Sequence, residues 1–93
     1  MPIIKLYANL RTIAGTKELS IMESSLGGVL NELAKQIPAL DGVILEHRDD
    51  VPSGNGQIRP HFVITINGHN AIDLDAPVTE QDLIAIFPPI AGG

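Results

Sequence analysis

The chain has 93 residues, no cysteine, and eleven acidic against six basic side chains, for a formal charge of −5. That length allows one small domain, burying a little over ~60% of the surface its unfolded chain exposes, with no room for a deep cleft between lobes. The missing thiols exclude a disulfide framework, a thiolate metal site and a cysteine nucleophile, and they fit a reducing cytosol.

The basic residues Lys5, Arg11, Lys17, Lys35, Arg48 and Arg59 are scattered along the sequence, which argues against nucleic acid as a partner, since phosphate binding needs clustered cations. Eight of the eleven acids fall from Asp41 onward. This either solubilises the surface or favours a partner with a basic docking face. No apolar run approaches the ~18 residues of a membrane span. The opening "MPIIKLYANLR" has neither a basic n-region nor a signal h-region, so a cytoplasmic protein without membrane contact is expected.

"IIKLYA" alternates like a strand, with Ile4, Leu6 and Ala8 on one side and Ile3, Lys5 and Tyr7 on the other. In "NLRTIAGT", Gly15 supplies a turn. "KELSIM" returns with Leu19 and Ile21 on one face, and the pair reads as a hairpin. "SSLGGVLNELAKQIP" predicts a helix capped by Ser24 or Ser25. Its apolar stripe is Leu26, Val29, Leu30, Leu33, Ala34 and Ile37, and Pro38 ends it. Gly27 and Gly28 weaken its start by roughly 1 kcal/mol each, a concession that close packing on the sheet would explain. "ALDGVILE" reads as a short helix or an apolar turn.

"HRDDVPSGNGQIRPH" (His47 to His61) reads as one long exposed loop. "FVITINGHNAIDL" predicts a strand, an Asn67-Gly68 hairpin turn and a short return. "APVTEQD" is a turn with helical flavour, and "LIAIF" (Leu83 to Phe87) is a continuous apolar run suited to a central strand. Pro88 stops it, having no N–H to give a neighbour. The order β-β-α-β-β-β, with strong strands at both ends, predicts an α+β fold: a β-grasp roll, its mixed sheet covered on one face by the helix. Residues 1–88 are expected to form the domain, and residues 89–93 a flexible diglycine tail.

The ending "FPPIAGG" carries the chemistry. Pro88 and Pro89 stiffen the exit from the sheet. Ile90 and Ala91 offer a small apolar contact, and Gly92 and Gly93 can pass through a narrow channel. The carboxylate of Gly93, ionised at neutral pH, resists nucleophiles until ATP converts it to an acyl-adenylate. A sulfur donor then gives a thiocarboxylate; a cysteine followed by an amine gives a protein conjugate. Activation belongs to another protein, so this chain is expected to bind no cofactor itself.

On "KLYANLRTIAGTKEL", "ITINGHNA…LDAPVTEQDLIAIFPPIAGG" and above all that ending, the chain resembles the small subunit of molybdopterin synthase, the MoaD type, and its ThiS-like relatives among the ubiquitin-like sulfur carriers. "GQIRPHFVITING" is similar to a wider MoaD-like branch that includes carriers for other sulfur pathways and prokaryotic protein modifiers. The resemblance implies a thiocarboxylate on Gly93. It implies two partners: an adenylyltransferase of the ubiquitin-activating type, which uses ATP, and the large catalytic subunit of molybdopterin synthase, with which the chain would form a hetero-oligomer. The family's diglycine falls on Gly92 and Gly93, its aromatic before the proline pair on Phe87, and its basic residue after the first strand on Arg11. The turn commonly written Asp-Gly-Asp is Glu80-Gln81-Asp82 here, which implies a different local backbone. A modifier that attaches Gly93 to lysines, and a plain β-grasp interaction module, are the rival functions.

The remaining polar residues suggest no independent chemistry. His47, His61 and His69 lack neighbours at metal-ligand spacing. Asp49-Asp50 and Asp73-x-Asp75 read as solvated turn carboxylates and not as an acid–base pair. "SGNG" (Ser53 to Gly56) lacks the context of a phosphate loop. If the end strands pair, Phe87 and Tyr7 lie side by side, either as core packing or as an apolar docking patch. Arg11 is either a docking charge or a loop-stabilising one.

Overall fold

In the computed structural model, residues 2–46, 57–59 and 61–89 are described. The expectations placed on residues 90–93, on His47, on Asp49-Asp50 and on residues 53–56 lie outside them.

The two ends of the chain meet in the middle of one sheet. Strand β1 (Ile3–Leu6) runs parallel to β7 (Leu83–Phe87). The other strands of this sheet are β2 (Glu18–Ser20), β5 (Val63–Ile66) and β6 (His69–Asn70), and the order across it is β2-β1-β7-β5-β6. Only the β1–β7 pair is parallel. The pleat sends alternate residues to opposite faces. Ile4, Ile84 and Ile66 make one inward row, and Leu6, Ile86 and Ile64 the next.

Helix α2 (Leu26–Gln36) covers that inner face, burying Leu26, Val29, Leu30 and Leu33. Ser25 caps it: its side-chain oxygen accepts the Gly28 N–H at 3.1 Å. The next free N–H groups find carbonyls in the segment before β7, Leu26 N–H on Ala76 at 2.9 Å and Gly27 N–H on Leu74 at 2.8 Å. Gly27 is therefore explained by this crossing and not by the sheet. A Cβ there would meet the Leu74 carbonyl oxygen at 3.1 Å. Leu10, Ile21, Leu40, Ile44 and Val78 close the core. With one helix on one face of a mixed sheet, the fold is the expected β-grasp.

Two elements differ from expectation. The segment between β1 and β2 is a short helix, α1 (Asn9–Ala14), which drops Leu10 into the core. Gly15 ends it in the left-handed region, φ 75°, donating its N–H to Arg11 at 2.9 Å. The stretch after α2 begins with a 3-10 turn (Pro38–Leu40), and β3 (Leu45–Glu46) then pairs antiparallel with β4 (Gln57–Ile58) in a second, two-stranded sheet. The expected single loop over 47–61 thus contains a strand. Arg59 fastens it, donating from its backbone N–H to the Ile44 carbonyl (2.8 Å) and from Nε to that of Gly42 (2.6 Å).

The Asn67-Gly68 hairpin forms as expected, with φ of 54° and 84° and β5 paired to β6. The 79–82 segment is a turn, the Asp82 N–H donating to the Thr79 carbonyl at 3.2 Å. Gln81 needs no positive φ there. Asp73 accepts the Asp75 N–H at 2.9 Å, so that carboxylate pair shapes a turn. No helix among the described residues is long and apolar enough to cross a membrane.

Candidate functional site

β7 alternates about its own axis. Ile84 and Ile86 point into the core, so Leu83, Ala85 and Phe87 must face out. Register then assembles the outer face. Ile3 sits opposite Leu83, Lys5 and Thr65 flank Ala85 from either side, and Val63 sits opposite Phe87. Among the described residues, no helix covers these rows. Ile3 is 41% exposed, Val63 44%, Leu83 37% and Phe87 36%. These four large apolar side chains make two exposed pairs, Ile3–Leu83 and Val63–Phe87, at opposite ends of the face, with Lys5, Ala85 and Thr65 between them.

Tyr7, one residue beyond β1, stacks on Phe87 with ring centroids 4.5 Å apart and planes at 15°. Such an aromatic pair contributes about 0.5–1.5 kcal/mol beyond its buried area. It stands where β7 gives way to Pro88 and Pro89. A groove of about 700 Å³ opens here, between the stacked pair, Val63, Ala8, His61 and the two prolines. Two of its residues hold backbone conformations that side chains disfavour: Ala8 has φ 54° and ψ −134°, and His61 has φ 71°. Strain of this sort persists where surrounding structure enforces it, often at binding surfaces.

Arg11 lies on α1, exposed. The fold brings it together with Lys5 and Lys17 around a cavity of about 290 Å³ shared with Tyr7 and Glu18. Bases that are scattered in sequence thus form a local positive edge beside the aromatic pair, in a chain of net charge −5. Sequence reasoning missed this grouping, since only the β1–β2 pairing closes it. It also passed over Val63, although the alternation in "FVITI" already sets Val63 and Thr65 on the face opposite Ile64, and it set Ala8 on the side of Ile4 and Leu6, whereas Ala8 lies exposed beyond the end of β1.

Chemistry within the described residues is sparse. No charged or polar residue is buried, and no three His, Cys, Asp or Glu side chains gather as a metal site. The titration that departs clearly from normal is that of Asp82. The Thr79 backbone N–H, and then the Asn67 side-chain amide, hold its carboxyl below the ordinary value of 3.8. It sits just before β7, about 16 Å from Phe87 at the usual rise of an extended strand. What these residues offer is an exposed apolar and aromatic surface where β7 gives way to Pro88 and Pro89.

Known proteins share this fold. Small archaeal modifier protein 3 of Haloferax volcanii is 27% identical over 96 residues, covering 97% of this chain and 96% of that one. The solution structure of small archaeal modifier protein 1 from Methanosarcina acetivorans superposes with a TM-score of 0.85 at 37% identity, covering 99% of this chain and 95% of that one. Mycobacterium tuberculosis CysO shares the fold at 19% identity, with a TM-score of 0.77 over 97% of this chain and 100% of its own. The ThiS family matches residues 4–93, and the chain therefore belongs to that family of ubiquitin-like sulfur carriers and protein modifiers.

Proposed function

We propose that this chain is a cytoplasmic ubiquitin-like sulfur carrier, activated at Gly93. The observation that carries the proposal is the root of the tail. The central strand β7 ends in Pro88-Pro89 beside an uncovered apolar face and a stacked Tyr7–Phe87 pair. A rigid domain presents the docking surface, and the chain's last residues reach into a partner's active site.

An adenylyltransferase of the ubiquitin-activating type docks on Tyr7, Phe87 and their apolar neighbours, with Arg11 meeting an acidic group at the rim. The Gly93 carboxylate attacks the α-phosphorus of ATP and releases pyrophosphate. A sulfide-level donor displaces AMP and leaves a thiocarboxylate. The sulfur then passes to the dithiolene of molybdopterin, with this chain as the small subunit beside a large catalytic one. Pro88, Pro89, Ile90, Ala91 and Gly92 serve to deliver that terminus, and no residue of the folded domain takes part in bond making.

A second reading is conjugation of Gly93 to lysine side chains. It is favoured by the names of two relatives, at 27% and 37% identity, as modifier proteins. Activation is common to both readings. The test is ATP–pyrophosphate exchange with the cognate adenylyltransferase, comparing the full chain with one lacking Gly93. Exchange should vanish on deletion while the far-UV circular dichroism stays unchanged. Exchange that survives deletion would refute activation at Gly93. Lysine peptides bearing a Gly-Gly remnant from this chain would select the modifier.

A further inference from the structure

The β5–β6 turn contains the dipeptide whose side-chain amide is chemically the least durable in proteins. In Asn-Gly, the backbone nitrogen of the glycine attacks the asparagine Cγ. Glycine offers no Cβ to crowd the approach. A C–N bond forms, the carboxamide nitrogen leaves as ammonia, and a cyclic imide remains. Water then opens the imide at either carbonyl, giving aspartate or isoaspartate. Nothing is oxidised or reduced, and water is the only co-reactant. Both Asn67 and Gly68 are exposed.

The fold opposes this reaction by occupying both ends of the carboxamide. Asn67 Nδ2 donates to Asp82 Oδ1 at 2.8 Å, and Asn67 Oδ1 accepts the Leu83 N–H at 2.9 Å. The second Asp82 oxygen is held by the Thr79 N–H at 2.8 Å, and the Asn67 N–H donates to the Leu83 carbonyl at 2.8 Å. Attack turns the planar carboxamide carbon tetrahedral and expels the nitrogen that donates to Asp82, so the reaction must give up a hydrogen bond to a charged acceptor.

We propose that Asn67 is a latent deamidation site, kept unreactive by the Asp82–Leu83 clamp, and that its conversion to a carboxylate unfastens the start of β7. The product loses the donor to Asp82 and sets a second anion against that carboxylate where the amide had been. It does so at the first residue of the strand that leads to Pro88 and Pro89. The inference is independent of the carrier reading.

The experiment is incubation at neutral pH and physiological temperature, followed by peptide mapping for amide-to-acid conversion at residue 67. Wild type is compared with Asp82→Ala, with Asp82→Asn in case the alanine variant does not fold, and with Ile21→Val, which loosens the core without touching the turn. A folded Asp82 variant should convert roughly tenfold faster than wild type or more, the scale set by a lost charge-assisted bond, while Ile21→Val converts near the wild-type rate. An Asp82 variant no faster than Ile21→Val would overturn the clamp. Asn67→Asp should melt below wild type, and the swap Asn67→Asp with Asp82→Asn, which restores the donor–acceptor pair in reverse, should recover most of the loss. Asn67→Asp melting like wild type would overturn the unfastening.

Discussion

Replacing Phe87 with alanine should separate folding from docking. The ring is 36% exposed and lies at the last position of β7, stacked on Tyr7 at 4.5 Å. A fully buried Phe→Ala change removes about 3–5 kcal/mol, much of it through a cavity. Here the site opens to solvent, so little cavity forms, and the main losses are the stack, about 1 kcal/mol, and part of the ring's burial. A total of about 1–2 kcal/mol lowers the melting temperature by about 4–16 °C in a domain of this size. It leaves the protein folded at room temperature, given a typical stability of about 5–15 kcal/mol. Docking should suffer more. Truncating a central aromatic anchor costs about 2 kcal/mol or more of binding, roughly thirtyfold in affinity for the adenylyltransferase. Thermal melting and titration calorimetry with the cognate enzyme read the two effects separately. A folded Phe87→Ala that binds within about threefold of wild type, less than 1 kcal/mol, would show that the ring only packs and that the partner meets another face.

Ala8→Gly should stabilise the protein, because Ala8 has φ 54° and ψ −134°. Relief of about 1–3 kcal/mol of backbone strain, less about 0.4–1 kcal/mol for the freer unfolded chain, leaves a net gain of up to about 2.6 kcal/mol; a lower urea midpoint than wild type would contradict this. Acid should unfasten Asp82. Its folded-state pKa lies below the ordinary 3.8, so its contribution is complete above that value and is lost as pH falls through the folded pKa. Wild type should therefore lose melting temperature below about pH 3.8 more steeply than Asp82→Asn does; parallel curves would refute the assignment.

The fold was largely legible because its strongest signals are long-range consequences of short patterns. Two apolar strands at the chain ends and one striped helix leave few ways to bury Ile4, Leu33 and Ile84 together. The turn at Asn67-Gly68 was legible from backbone chemistry alone. α1 was not, because six residues hold fewer than two turns and a single buried residue, Leu10, gives no period to detect. β3 and β4 escaped for a similar reason: strands of two residues have no alternation. Gly27 announced a close approach but not its partner, since Leu74 lies far along the chain. At the site, Phe87 and Arg11 were found through the resemblance, and Tyr7 through the expected pairing of the two end strands. The groove at Ala8 and the gathering of Lys5 and Lys17 beside Arg11 depend on the register of β1, β2 and β7, which no local pattern specifies.

The carrier function requires that the carboxyl group of Gly93 accept sulfur after adenylation. Intact-mass spectrometry of the chain, incubated with its cognate adenylyltransferase, ATP, magnesium and a sulfide donor, tests it most directly. The expected result is a mass shift for one oxygen replaced by sulfur, localised to Gly93 by fragmentation and lost without ATP. An unchanged mass with an adenylyltransferase that modifies its other carriers under the same conditions would contradict it.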